Sequence, residues 1–151
     1  MAAPVKMPRR FDEELDELRH GLLHMAAMAE TAVGKSVLSV VNRDNDLARD
    51  IIIDDINLNR MELDLEDRAF KLLALRQPLA ADLRLIVASM RIATQLERIG
   101  DQAVNIAERA MELNNLPPLE VPIDLQVRSD MALGMVHTSI AAFVEQNPRL
   151  A

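Results

Sequence analysis

Two acidic residues one helical turn apart give the strongest chemical signal in this sequence. Glu97 and Asp101 are separated by four positions, and Asn105 follows one turn later. On a helix, these three side chains share one face. Carboxylates this close repel each other unless water, a proton or a cation lies between them. Their oxygens would form either a metal site or a hydrated surface, and the spacing alone leaves both interpretations open.

The acidic pair lies in a long segment whose apolar residues recur every three or four positions. This pattern predicts that the pair belongs to the inward face of a helix, so that carboxylates occupy positions where an ordinary bundle places leucine. The predicted inward face consists of Leu79, Leu83, Ile86, Met90, Ala93, Glu97, Asp101, Val104, Glu108 and Met111.

The composition predicts an all-α fold. Half of the 151 residues are apolar, only three are aromatic, and there are four glycines. A core of Leu, Ile, Val, Ala and Met is typical of helices packed on helices. A net charge of −7 without a concentrated basic surface argues against nucleic-acid binding. The absence of cysteine excludes disulfides and thiolate metal sites.

The sequence also predicts a soluble, cytoplasmic protein. No apolar run approaches the roughly 20 residues of a transmembrane helix. The basic N-terminal residues are followed by a charged amphipathic segment, which is not the pattern of a signal peptide. We therefore expect contact with a membrane only through partners.

Turn signals divide the chain into an arm over residues 1–10 and four predicted helices. The first three span about 11–41, 46–76 and 78–114, with Pro78 opening the third. Links this short predict an antiparallel three-helix bundle. Residues 115–124 contain three prolines and predict a linker, and the fourth helix then covers about 125–146.

A weak internal repeat relates the fourth predicted helix to the first. When the two are aligned, Met28 and Val33 fall on Met131 and Val136. We interpret residues 125–151 as the first helix of an incomplete second bundle.

The second predicted helix carries two charges in its apolar seam, Asp54 and Arg68. An unpaired charge in a seam is costly. We therefore expect Arg68 to pair with Asp54 or with another buried acid.

Several segments together resemble the PhoU family, the accessory and regulatory proteins of bacterial phosphate-specific transport. The resemblance covers residues 11–151. Family members contain two three-helix repeats, so this chain resembles one repeat and the opening of the second. The matching segments are LRQPLAADLR at 75–84, LERIGD at 96–101, and Asn42, Arg43, Asp44, Leu47, Ala48 and Asp55 in the first hairpin.

The resemblance implies a multinuclear metal cluster of iron or zinc. Family members carry (Glu/Asp)-x-x-x-Asp motifs that bind such clusters on the bundle surface. Glu97 and Asp101 match one motif, and Asp55 matches the first acid of another. The second position of that motif is Asn59 here, and its amide oxygen is a neutral, weaker ligand.

The resemblance also implies regulation without catalysis. PhoU-like proteins mediate between the phosphate transporter, including its ATPase subunit, and a membrane sensor histidine kinase. They repress the phosphate-starvation response when phosphate is plentiful, and they are commonly homodimers.

Two alternatives stay open. A structural helical adaptor without metal would use Arg76, Asp82 and Arg84 only to build the junction between the second and third helices. A di-iron enzyme would need two Glu-x-x-His pairs, and the chain has one, Glu17 with His20. We predict no catalytic residues, because the sequence shows neither a glycine-rich phosphate loop nor a nucleophile beside a base.

Overall fold

The computed structural model describes residues 9–118, 124–147 and 149, and within these ranges it contains helices but no strand. The predictions for residues 1–8 of the arm and 119–123 of the linker lie outside the described residues. The all-α prediction is confirmed. The helices are α1 (Arg9–Val41), α2 (Asn45–Arg76), α3 (Ala80–Asn114) and α4 (Leu125–Val144).

The turns between helices follow from a few local residues. The Asp44 carboxylate accepts hydrogen bonds from the backbone N–H groups of Asp46 and Leu47, at 3.0 and 2.9 Å, and so begins α2. Gln77 has a φ of 46° and ends α2 in the left-handed conformation. The chain then reverses through an extended Leu79, so α3 begins at Ala80 and not at Pro78.

The core lies between α1, α2 and α3 and has two parts. The larger part contains the apolar face of α1 from Phe11 to Ala29, packed against leucines of α2 and the first half of α3. The smaller part joins Ala48 and Ile51 of α2 to alanines of α3. The α1 residues of the larger part are Phe11, Leu15, Leu18, Leu22, Met25, Ala26 and Ala29, and those alanines of α3 are Ala103, Ala107 and Ala110.

The inward face predicted for α3 is correct at Ile86 and Ala93 but wrong at both ends. From residue 96 onward the buried residues are displaced by one position, and all of them after Leu96 are small. Asp101 and Glu108 are exposed, and Glu97 is half-buried. Leu79 and Leu83 are also exposed. The observed buried face is Leu96, Gly100, Ala103, Ala107 and Ala110.

The seam predicted for α2 also needs correction. Asp54 and Arg68 are both exposed. Arg68 pairs with Asp64 on its own helix, at 2.7 Å, so the predicted pairing with Asp54 or a buried acid is wrong. Solvent hydrates both charges, and no buried partner is needed.

Helix α4 packs against α1. Its Ile140 and Ala142 are buried, and Leu133 Cδ1 lies 3.9 Å from where a Cβ would stand on Gly34 of α1. The interpretation of this helix as the start of a second bundle stays a prediction. None of the helices in the described ranges has the length and apolar character needed to cross a membrane.

Candidate metal centre between two helices

The predicted ligands come from two neighbouring helices. Asp55 and Asn59 are one turn apart on α2, and Glu97 and Asp101 are one turn apart on α3. Asp55 is half-buried, and its Oδ1 lies 3.4 Å from the position that a Cβ would take on Gly100. Gly100 directly precedes Asp101, so the first acid of α2 lies beside the second acid of α3.

Gly100 allows this close approach. A Cβ at this position would lie 2.2 Å from Leu58 Cδ2, which is far inside van der Waals contact. Leu58 is only 3% exposed and has little room to withdraw. The glycine of the LERIGD segment therefore determines how near α2 and α3 can lie at the acidic residues.

Negative charge accumulates where the two helices meet. Burial, and then the Asp101 carboxylate, raise the pKa of Asp55, whereas the Asn59 side chain opposes this shift. Burial also raises the pKa of Glu97, and the carboxylates of Asp101, Glu62 and Asp55 add to the effect, with Arg98 acting against it. Each shift shows that the charged form is disfavoured, and a bound cation would reverse that preference.

Glu62 is a member of this group that the sequence reasoning missed. It is half-buried, and its carboxylate raises the pKa of Glu97 on the other helix. Its spacing of seven residues from Asp55 places both acids on one face of α2, and this periodicity is the signal that could have identified it.

Asn59 has one hydrogen bond and one unsatisfied atom. Its Nδ2 donates to Asp55 Oδ2 at 3.2 Å. Its Oδ1 is buried and accepts no hydrogen bond from the described residues. An orphaned buried oxygen costs free energy unless it gains a partner. Together with the neighbouring carboxylates it forms an all-oxygen donor set of the kind that binds hard or borderline metal ions.

The described residues contain no group of three or more His, Asp or Glu side chains already arranged to hold a metal ion. The four predicted ligands would therefore have to reorient to share one ion. An open groove of about 340 Å³ is bordered by α1, α2 and α3, and its lining includes Asp55 and Gly100, together with His24, Thr31 and Lys35 of α1. Solvent thus reaches Asp55 from the α1 side.

The other candidate residues lie outside this acidic group. Asn105, Glu17 and His20 are exposed, and His20 Nδ1 lies 2.7 Å from the backbone oxygen of Asp16. Arg76 forms a two-point ion pair with Glu14 of α1, with distances of 2.8 and 2.6 Å. Arg76 therefore joins α1 to the end of α2, which is a structural contact other than the predicted one between α2 and α3.

Several known proteins similar to this chain carry one family name. The PhoU domain family matches residues 22–110. A relative from Aquifex aeolicus, the "Phosphate-specific transport system accessory protein PhoU homolog", is 35% identical over 139 residues, covering 92% of this chain and 63% of the relative. A homolog of the same name from Caulobacter vibrioides is 38% identical over 111 residues, covering 74% and 48%. The chain thus spans about half to two thirds of these relatives.

Solved structures agree with the fold. The crystal structure of PhoU from Pseudomonas aeruginosa superposes with a TM-score of 0.87 at 31% identity, covering 93% of this chain and 68% of that one. The phosphate transport system regulatory protein PhoU from Streptococcus pneumoniae gives 0.76 at 27% identity, covering 87% and 62%. Since the domain match extends through all three helices of the bundle and the P. aeruginosa protein shares both fold and sequence, this chain belongs to the PhoU family.

Proposed function

We propose that this protein regulates phosphate uptake and phosphate-starvation signalling by binding other proteins, without catalysis. Family membership supports the proposal, as do the names of the relatives, which describe accessory proteins of phosphate-specific transport. The proposed partners are the ATPase subunit of the phosphate transporter and a membrane sensor histidine kinase. The protein would act in the cytoplasm as a homodimer and control both partners through its helix faces.

The single observation that carries the mechanism is the meeting of acidic residues from α2 and α3. Asp55 and Asn59 would hold an iron or zinc cluster together with Glu97 and Asp101. A bound metal would supply positive charge that neutralises the carboxylates and links the two helices. Without metal, burial and then the repulsion between the neighbouring carboxylates disfavour the charged forms of Asp55 and Glu97. Relief of that repulsion would stabilise one arrangement of the helix faces that partners contact.

Elemental analysis tests the metal. Protein exposed to iron or zinc and then dialysed should retain metal in the wild type and lose it in the double variant Glu97→Gln/Asp101→Asn. The matched control is Glu108→Gln/Glu112→Gln, because these are acids four positions apart on the same helix, exposed and not among the predicted ligands. Equal metal in both variants, or none in the wild type, would contradict the metal site.

A transcription reporter tests the regulation. In a bacterium that lacks its own PhoU, this chain should restore repression of a phosphate-starvation promoter when phosphate is plentiful. Co-purification with the transporter ATPase and with the cytoplasmic part of the kinase identifies the contacts. A folded, expressed chain that neither restores repression nor binds either protein would overturn the proposal.

A structural adaptor without metal is the second candidate. The two-point Arg76–Glu14 pair favours it, because this part of the LRQPLAADLR segment has a role in joining helices. An adaptor would bind its partners equally well with and without metal and at any phosphate concentration. A regulator of the proposed kind would not.

A further inference from the structure

The outer face of α2 presents large apolar side chains to solvent. Ile53, Ile56, Leu63 and Phe70 are 68, 51, 63 and 57% exposed. The last three repeat every seven residues, so the four form one stripe along the helix, which we call the α2 outer stripe. The stripe is about 26 Å long along the helix axis, at a rise of about 1.5 Å per residue.

The α2 outer stripe is not an edge of the core. Each of Ile56, Leu63 and Phe70 precedes a buried leucine of α2 by two positions, and two positions on a helix are about 200° apart. The stripe therefore faces directly away from α1 and α3. A bundle helix ordinarily carries polar residues on this side, and large apolar side chains exposed repeatedly along one face mark an interaction site.

Two opposite charges lie within the stripe. Arg60 stands three positions before Leu63, and Asp67 stands four positions after it. Both are exposed. Arg60 forms no ion pair with any other described residue, whereas Asp67 pairs with Lys71 one turn further along α2. From Ile53 to Phe70, the order along the helix is thus apolar, positive, apolar, negative, apolar, and the positive Lys71 follows.

We propose that the α2 outer stripe binds the same stripe of a second copy of this chain, with the two helices antiparallel about a two-fold axis at Leu63. This symmetry sets Leu63 against Leu63 and Ile56 near Phe70 of the second copy. It also brings Arg60 near Asp67 of the second copy, and does so twice.

Charge complementarity favours a second copy of the chain as the partner of the α2 outer stripe. A two-fold interface requires a surface that complements itself, and the stripe meets this condition only in the antiparallel direction. In a parallel pair, Arg60 would face Arg60 and Asp67 would face Asp67. The inference rests on the homodimer in the proposed function and adds the surface that forms it.

Sedimentation velocity over a range of concentrations tests the proposal by charge exchange. Arg60→Asp sets acid against acid at both contacts, and Asp67→Arg sets base against base. Each single variant should raise the dimer Kd by about tenfold or more, because two favourable pairs become two repulsions. Mixing the two variants should produce a heterodimer, since both contacts then join opposite charges. The double variant Arg60→Asp/Asp67→Arg should again form a homodimer.

Two further variants complete the experiment. Arg68→Asp reverses an exposed arginine of α2 that lies off the stripe, and it should leave the dimer unchanged. Leu63→Lys removes the apolar centre and should give a monomer. Circular dichroism shows that each variant remains helical.

The outcomes separate this inference from the proposed function. A wild-type dimer that persists in both single variants and in Leu63→Lys uses another surface, which overturns the inference but leaves the homodimer. Single variants that dissociate and do not recombine on mixing overturn the antiparallel arrangement. A monomeric wild type overturns both the inference and the homodimer, while the reporter experiment still decides the regulatory role.

Discussion

Replacing Gly100 by alanine would test whether the separation of α2 and α3 is fixed at the candidate metal site. The added Cβ would stand 2.2 Å from Leu58 Cδ2, and Leu58 is buried and cannot turn into solvent. Forcing a carbon into such a site costs about 1–3 kcal/mol. Alanine in a helix interior regains about 1 kcal/mol relative to glycine. The free energy of unfolding should therefore change little or fall by up to about 2 kcal/mol.

Gly134→Ala is the matched control for this experiment. Gly134 lies inside α4, and a Cβ there would meet no atom within 4 Å. Only the helix-propensity gain applies, so this variant should be more stable by up to about 1 kcal/mol. Urea unfolding followed by far-UV circular dichroism suits both variants, because the chain contains no tryptophan or tyrosine for fluorescence.

The relative stabilities of the Gly100→Ala and Gly134→Ala variants decide whether Gly100 fixes the helix separation. If Gly100→Ala stabilises the protein as much as Gly134→Ala does, Leu58 yields without cost and Gly100 does not fix the helix separation. If Gly100→Ala instead lowers the unfolding midpoint and also weakens metal retention, the close approach serves both packing and the site.

Two predictions concern pH. Hydrogen bonding to Arg76 lowers the pKa of Glu14 below its ordinary value of 4.5, so the stability that this pair contributes is present above that value and lost as the pH falls. In urea titrations, Glu14→Gln should therefore destabilise the protein at neutral pH and lose its effect in acid; an effect that persists unchanged in acid would contradict this. Burial raises the pKa of Glu97 in the folded protein. The metal-free protein therefore loses stability as the pH rises from the ordinary pKa of this side chain through its higher pKa in the folded state. Glu97→Gln should thus stabilise the metal-free protein at neutral pH but not in acid, and a destabilised variant at neutral pH would contradict the raised pKa of Glu97.

The helices could be predicted from the sequence because their ends are encoded locally. Asp44 caps α2, and the large apolar residues of α1 from Phe11 to Met25 recur at a spacing that admits one inward face. The buried half of α3 could not be predicted in the same way. Val104 and Met111 suggest one inward face, whereas the helix buries Ala103 and Ala110, one position away. A periodic pattern favours large side chains, but the choice between these faces depends on how close the neighbouring helix lies.

The sequence could predict the candidate ligands on each helix separately, but not how the two helices place them together. The spacing of Glu97 and Asp101 was visible in the sequence, and the PhoU resemblance supplied Asp55 and Asn59. The contribution of Glu62 was not visible, because its effect on Glu97 depends on how α2 and α3 are placed side by side. The role of Gly100 as a spacer was likewise hidden, since it follows from the position of Leu58 on the other helix.

The division of the core into a large-residue part and an alanine part predicts two different kinds of substitution during evolution. Around Leu18 and Leu22, exchanges among Leu, Ile and Met conserve volume, so related sequences are free to interchange them. At Ala103, Ala107 and Ala110, every larger residue would push the helices apart, and natural variation should be confined to Ala, Gly and Ser. Gly100 borders this second part, so in distant relatives it should persist even where the adjacent acids have been lost.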